Sequence, residues 1–405
     1  AKLGIMIHWG IYAVRGVSES WSFHNEQIPY KEYYDQMKGF TASKYDPEFW
    51  ASLIKESGAQ YTVITTKHHD GFALWDTKVG KLSAKKCSPA KRDLITPFAD
   101  AIRKEGIHLG LYYSLIDWSR DDYPNKTKSI TRYDVKKDPE KWDHFCKFNF
   151  AQLKEINMLY HPDLIWFDGG WEQTAEQWHS KEIATLLRST NPDVILNSRL
   201  PGYGDYETPE LGIPVTKPKS KYWELCYTIN DSWGWQPQDT NFKSPPVILN
   251  TFIDCLSMGG NLLLDIGPKA DGTIPEQEIK ILRYLGNWIN RNKEAVYNTR
   301  AGLPYESYHG YSTLNQKGNV IYVYLPSIPT EPLELKGIKN DIEHINIVGS
   351  GKSLTYKVYN KISWSKVPGV LYVNVPVADC SDDVTVIAIH LNGPVGLYLG
   401  SGQNN

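Results

Sequence analysis

Polar side chains able to move protons or attack carbon recur directly after short apolar runs. Leu3–Ile7 is followed by His8-Trp9-Gly10, and residues 61–66 by Lys67-His68-His69-Asp70-Gly71-Phe72. The run that starts at His108 ends in Tyr112-Tyr113-Ser114, with Asp117-Trp118 behind it. Residues 164–167 lead into Asp168-Gly169-Gly170-Trp171, and residues 194–196 into Asn197-Ser198-Arg199. Packing alone does not explain one register repeated five times. Asp168 is a carboxylate followed by two glycines that leave room for a ligand beside it. Further carboxylates follow at Glu207, Glu210 and Glu224. Paired carboxyls can divide nucleophile and general-acid work between them. His68-His69-Asp70 also has metal-ligand types, so a metal-dependent hydrolase stands as one alternative.

Groups in such a register need strands beneath them. Apolar runs at Leu3–Ile7, 61–66, His108–Ser114, 163–167, 194–197 and Asn261–Ile266 alternate with helical patterns. Asp46-Pro47, Thr96-Pro97, Asp138-Pro139 and Ile274-Pro275 read as helix starts, with proline at or near the first turn. Gly58 and Gly106 read as helix C-caps. Strands alternating with helices imply parallel βα units. Six or more units predict a (β/α)8-like (TIM-type) barrel over residues 1–300, with its chemistry at the C-terminal strand ends. No phosphate-binding glycine loop follows a strand. Thirteen of the 14 tryptophans precede residue 300. Beyond it, alternating runs at 319–325, 344–348, 354–359, 370–375 and 384–390 predict a small C-terminal antiparallel β-sandwich over residues 301–405.

Composition narrows the function classes. Lys plus Arg (44) balances Asp plus Glu (46), a net charge of −2, so there is no basic footprint for nucleic acid. No apolar run reaches about 18 residues, which argues against a membrane span. Five cysteines without CxxC give neither a disulfide framework nor a structural zinc site. Aromatics reach 13%, and their faces can stack on the C–H faces of sugars. The chain begins inside a strand. An upstream segment removed in maturation would favour a secreted, periplasmic or lysosome-like compartment over the cytoplasm. An oligomer is compatible with this sequence.

Eight segments carry a specific resemblance: GIMIHWGIY, KHHDGFALWDT, KRDLI, GLYYS with DW behind it, DLIWFDGGW, GDYETPE, WELCYTINDSWGW and GGNLLLDIGPKADGTIP. From about Leu3 to Arg300 the chain resembles the α-L-fucosidases of glycoside hydrolase family 29. The resemblance implies a retaining exo-fucosidase with no cofactor and no metal, acting on a fucosylated oligosaccharide or glycoconjugate. Such enzymes hold two carboxyls about 5–5.5 Å apart and pass through a glycosyl-enzyme ester. It implies Asp168 as nucleophile and Glu210 as acid/base, with Glu224 as runner-up and Glu207 as a solvated charge. The acid is expected to have a raised pKa.

The resemblance also implies substrate contacts. His8, His68 and His69 fall on residues that bond fucose hydroxyls, Tyr112 beside the nucleophile, and Arg199 in the sugar pocket. Trp166 and Trp233 match the apolar walls that receive the 6-methyl group, and Trp9 and Trp21 join the substrate-binding set. Many members carry Glu-Trp in the first loop, where this chain has Ser20-Trp21 preceded by Glu19. Either Glu19 takes that place by a one-residue shift or the hydroxyl is read differently. Adjacent strand residues face opposite ways, so His68 and His69 reach one sugar only if the chain leaves strand geometry there. Trp75, Trp142, Trp178 and Trp288 are assigned to the core. Two other readings stand: a glycosidase of another specificity, and a non-catalytic carbohydrate-binding protein on the same fold.

Overall fold

Seven parallel strands form one curled sheet in the computed structural model, which describes residues 1–361, 364 and 366–401. They are β1 (Leu3–Ile7), β2 (Tyr61–Lys67), β3 (His108–Ser114), β4 (Leu164–Asp168), β5 (Ile195–Leu196), β6 (Glu224–Thr228) and β7 (Asn261–Ile266). Their order is β5-β4-β3-β2-β1-β7-β6. The sheet's two edges, β5 and β6, are linked by an irregular extended segment. Tyr206 bridges to Asn197, Glu207 to Trp223 and Glu210 to Cys226, all in parallel. The expected barrel is thus present, with seven regular strands and residues 206–210 standing where an eighth would be. Pro209, which lacks an N–H, and Gly202 and Gly204 nearby account for the missing ladder.

The strands are buried on both faces, which explains their unbroken apolar runs. Ile5, Ile7 and Ile64 pack outward among the helices, whereas Met6, Val63, Tyr112, Trp166, Cys226 and Leu263 fill the interior. Asp46 caps the helix Pro47–Glu56 by accepting from the Phe49 N–H, and Asp138 caps Pro139–Tyr160 through the Lys141 N–H. The helix expected at Thr96 starts one residue earlier, at Ile95. There Asp93, not Thr96, accepts the free N–H groups of Ile95 and Thr96. Gly58 and Gly106 take the left-handed conformation just past their helices.

The C-terminal part consists of two antiparallel sheets. The larger contains β8 (Thr299–Ala301), β9 (Tyr311–Asn315), β10 (Val320–Leu325), β12 (Ile342–Ile347) and β15 (Thr385–Leu391). The smaller contains β11 (Leu333–Lys336), β13 (Tyr356–Tyr359) and β14 (Val370–Val373). Alternation on β10 couples this unit to the barrel. Ile321, Val323 and Leu325 enter the sandwich core, while Val320, Tyr322 and Tyr324 join the barrel's core. The expected division at residue 300 falls inside β8. Among the described residues, no helix is long and apolar enough to cross a membrane.

Candidate active site

The C-terminal ends of the strands converge on one cavity of about 470 Å³, counting its open mouth. It is lined by His8, Glu19, Trp21, His68, Tyr112 and Trp166, and by Asp168, Trp171, Arg199, Glu210, Cys226 and Trp233. A larger hollow at the opposite end, around Gln60, Gly106 and His108, gathers no such set of carboxylates and histidines. Function in this architecture belongs to the C-terminal end.

Asp168 is the last residue of β4, so the strand itself aims its carboxylate into the cavity. Tyr112 Oη donates to Asp168 Oδ2 at 2.7 Å, and Arg199 Nη1 donates to Oδ1 at 2.8 Å. Burial opposes its charge, yet Arg199, His69 and Tyr112 together hold the carboxyl below the usual carboxylate range. Behind it the chain must turn tightly. Gly169 has φ +82, and a Cβ on Gly170 would lie 2.2 Å from the Arg199 carbonyl oxygen.

Glu210 reaches the same cavity from the irregular segment. Its Oε2 accepts from Arg199 Nη2, so one planar guanidinium grips both carboxylates. The Glu210 side chain is 38% exposed and that of Asp168 11%, so one faces the mouth and the other the floor. Backbone bonds fix the segment on either side of it: Cys226 N–H donates to Pro209 O, and Leu211 N–H to Cys226 O.

The runner-up Glu224 stands elsewhere. It is the first residue of β6, 2% exposed, and does not line the cavity. Burial pushes its carboxyl up to about 7, against bonds donated by Tyr61, Trp166 and Tyr206. The raised pKa thus belongs to a carboxyl that pins the barrel interior and does not line the cavity. Glu207 is exposed, as expected.

Three buried histidines at this end of the barrel are oriented through Nδ1. His8 pairs with Asp265 Oδ1 at 2.6 Å, His68 with Ser20 Oγ, and His69 with Ser114 Oγ at 2.6 Å. Burial lowers all three imidazoles, His69 to about 4, so they act as neutral rings. Strand β2 ends at Lys67, its pairing with β3 breaks register between Thr65 and Lys67, and His68–Gly71 form a turn. The chain thus leaves strand geometry here, but it brings only His68 to the cavity lining; His69, expected beside it, is fully buried behind Asp168. His69 Nε2 lies 3.6 Å from Asp168 Oδ2.

Glu19 is 2% exposed and lines the cavity, where its Oε1 accepts from the Gly234 N–H at 2.7 Å. Burial raises its carboxyl. Ser20, one residue on, turns instead to His68. Trp9 does not join the site. It is 1% exposed, donates Nε1–H to Lys269 O at 2.9 Å and packs on Phe40, Tyr45 and Trp50. Next to inward-facing His8, it is directed outward into the helix layer. Asp70 also leaves the group. Its oxygens accept from Tyr33 Oη and the Phe72 N–H, so the His68-His69-Asp70 triad is not assembled. His68, His69 and Asp168 do lie within 4.8 Å of one another, but Arg199 already occupies Asp168 and opposes a second cation.

Sequence reasoning missed Asp265 and Trp171. Asp265 lies inside β7, opposite Met6 and followed by Ile266, so no strand-end position marks it in the sequence; only its pairing with His8 in the fold does. Trp75, Trp142, Trp178 and Trp288 are core, as expected.

A family model described as α-L-fucosidase matches residues 1–294. The chain belongs to the α-L-fucosidase family. It is therefore a glycoside hydrolase by family. Tissue α-L-fucosidase of Bos taurus is 32% identical over 329 residues, which span 74% of this chain and 68% of that protein. Among solved α-L-fucosidases, isoenzyme 1 of Paenibacillus thiaminolyticus shares 31% identity at a TM-score of 0.87, covering 96% of this chain and 97% of its own. The Bacteroides thetaiotaomicron enzyme, solved as a trapped covalent intermediate with 2-fluoro-fucosyl fluoride, shares 29% at 0.86, covering 97% and 94%.

Proposed function

We propose that this chain is a retaining, exo-acting α-L-fucosidase that releases terminal α-linked L-fucose from oligosaccharides or glycoconjugates. The observation that carries the reading is the Arg199 guanidinium joining a buried and a solvent-reaching carboxylate in one aromatic cavity. Asp168 is the group suited to attack, because its neighbours keep it anionic. Its oxygen bonds to the anomeric carbon as the glycosidic C–O bond breaks, and Glu210 gives its proton to the departing oxygen. A protonated Glu210 can still accept the Arg199 bond through its carbonyl oxygen. In the second step Glu210, now a carboxylate, takes a proton from water, and the water oxygen displaces Asp168 from the ester.

The remaining contacts serve recognition. His8, His68, Glu19 and Arg199 offer polar atoms to the hydroxyls, and Trp166 and Trp233 offer apolar walls to the methyl group. The relative trapped as a covalent intermediate supports the two-step course. A panel of aryl glycosides tests the assignment. Turnover of the α-L-fucoside above all others is expected; preference for an α-galactoside, or binding without turnover, contradicts it.

A further inference from the structure

Trp171 is an anomaly among the fourteen tryptophans. Its indole is 57% exposed, yet it lines the cavity that holds both carboxylates. The ring is not loose. It stands parallel to Trp21 (16°, centroids 6.2 Å apart) and takes the edge of His69 at 88° and 5.9 Å. Its backbone lies in the short turn Gly170–Glu172 directly after the Asp168 strand. That turn is clamped from both sides. Trp178 Nε1–H donates to Gly170 O at 2.9 Å, and the Glu172 carboxylate accepts from Trp118, Tyr123 and Asn125.

A large apolar face held rigidly at the rim loses water-structuring cost only when something covers it. The inner wall is already supplied by Trp166 and Trp233, so Trp171 is surplus to holding the terminal sugar. The geometry points to Trp171 as the platform on which the sugar next to the departing fucose stacks, making it a specificity-determining residue for the leaving group. The ligand class is a pyranose presenting its C–H face to the indole. This rests on the fucosidase reading above.

The test compares kcat/KM for a fucosyl disaccharide with kcat/KM for α-L-fucosyl fluoride, whose leaving group is too small to reach the rim. Trp171→Ala is expected to lower the disaccharide-to-fluoride ratio about tenfold, as loss of one stacking contact implies. Trp171→Phe, which keeps a ring, is expected to hold the ratio within about threefold. A ratio within about twofold of the unaltered chain's in Trp171→Ala overturns the platform, since a structural role would slow both substrates alike. If the unaltered chain turns over neither substrate, the fucosidase reading itself fails, and the platform with it.

Discussion

Arg199 holds two carboxylates at once: its Nη1 lies 2.8 Å from Asp168 Oδ1, and its Nη2 binds Glu210 Oε2. The buried partner is kept anionic and the outer one is kept in place above it. Burial alone would raise Asp168, so the guanidinium is what leaves it poised for attack.

Removing that charge has a signed consequence. With Arg199→Met, burial prevails and the Asp168 carboxyl rises, so the acid limb of kcat/KM against pH shifts upward. At neutral pH kcat/KM falls roughly a hundredfold, the scale of two lost charge-assisted hydrogen bonds. A pH–rate series on an aryl fucoside measures both. An acid limb that stays where it was contradicts the coupling.

Glu210 and Glu224 separate by rescue. Glu210→Ala should lose about 10²–10⁴-fold on substrates with poor leaving groups, less on activated aryl fucosides, and regain turnover with azide. The product is α-fucosyl azide, because azide takes the place of the second-step water. Glu224→Gln should show no azide rescue. Rescue confined to Glu224→Ala would move the acid/base role there.

Glu224 has its own pH signature. Its folded pKa, about 7, lies above the ordinary value of 4.5. The stability it contributes is full below the ordinary value and is lost as pH rises through about 7. The Tm of Glu224→Gln relative to the unaltered chain should therefore climb between pH 5 and about 8. A flat difference across that range would show the carboxyl to be less confined than its three partners imply.

Trp9 and Asp265 separate by different readouts. Trp9→Phe should lower stability by about 1–3 kcal/mol, as a trimmed core side chain does, with KM for an aryl fucoside unchanged. Asp265→Asn should lower kcat/KM about tenfold or more through a misoriented His8, and denaturation curves should shift less than for Trp9→Phe. The reverse pattern would return Trp9 to the sugar.

The barrel was legible because each strand is a short apolar run ending in polar groups, and the proline-led helix starts mark the units between. Strand β6 was not, since its register begins with Glu224, a carboxylate that the barrel interior absorbs through three donors. The bridging segment 206–210 was equally illegible, as its single backbone bridges leave no period in the sequence. Within the site, Asp168, His68 and Arg199 could be read from strand-end position. Trp9 could not, because the direction of one residue beside His8 depends on where the strand ends. The carboxyl that burial raises to about 7 is Glu224, inside the barrel.

Covalent labelling with 2-deoxy-2-fluoro-α-L-fucosyl fluoride, followed by peptide mass mapping, tests the central claim most directly. The account predicts one fluorofucosyl group esterified to Asp168, with no adduct in Asp168→Asn. A label on Glu210 or Glu224, or hydrolysis that inverts the anomeric centre without any adduct, would contradict it.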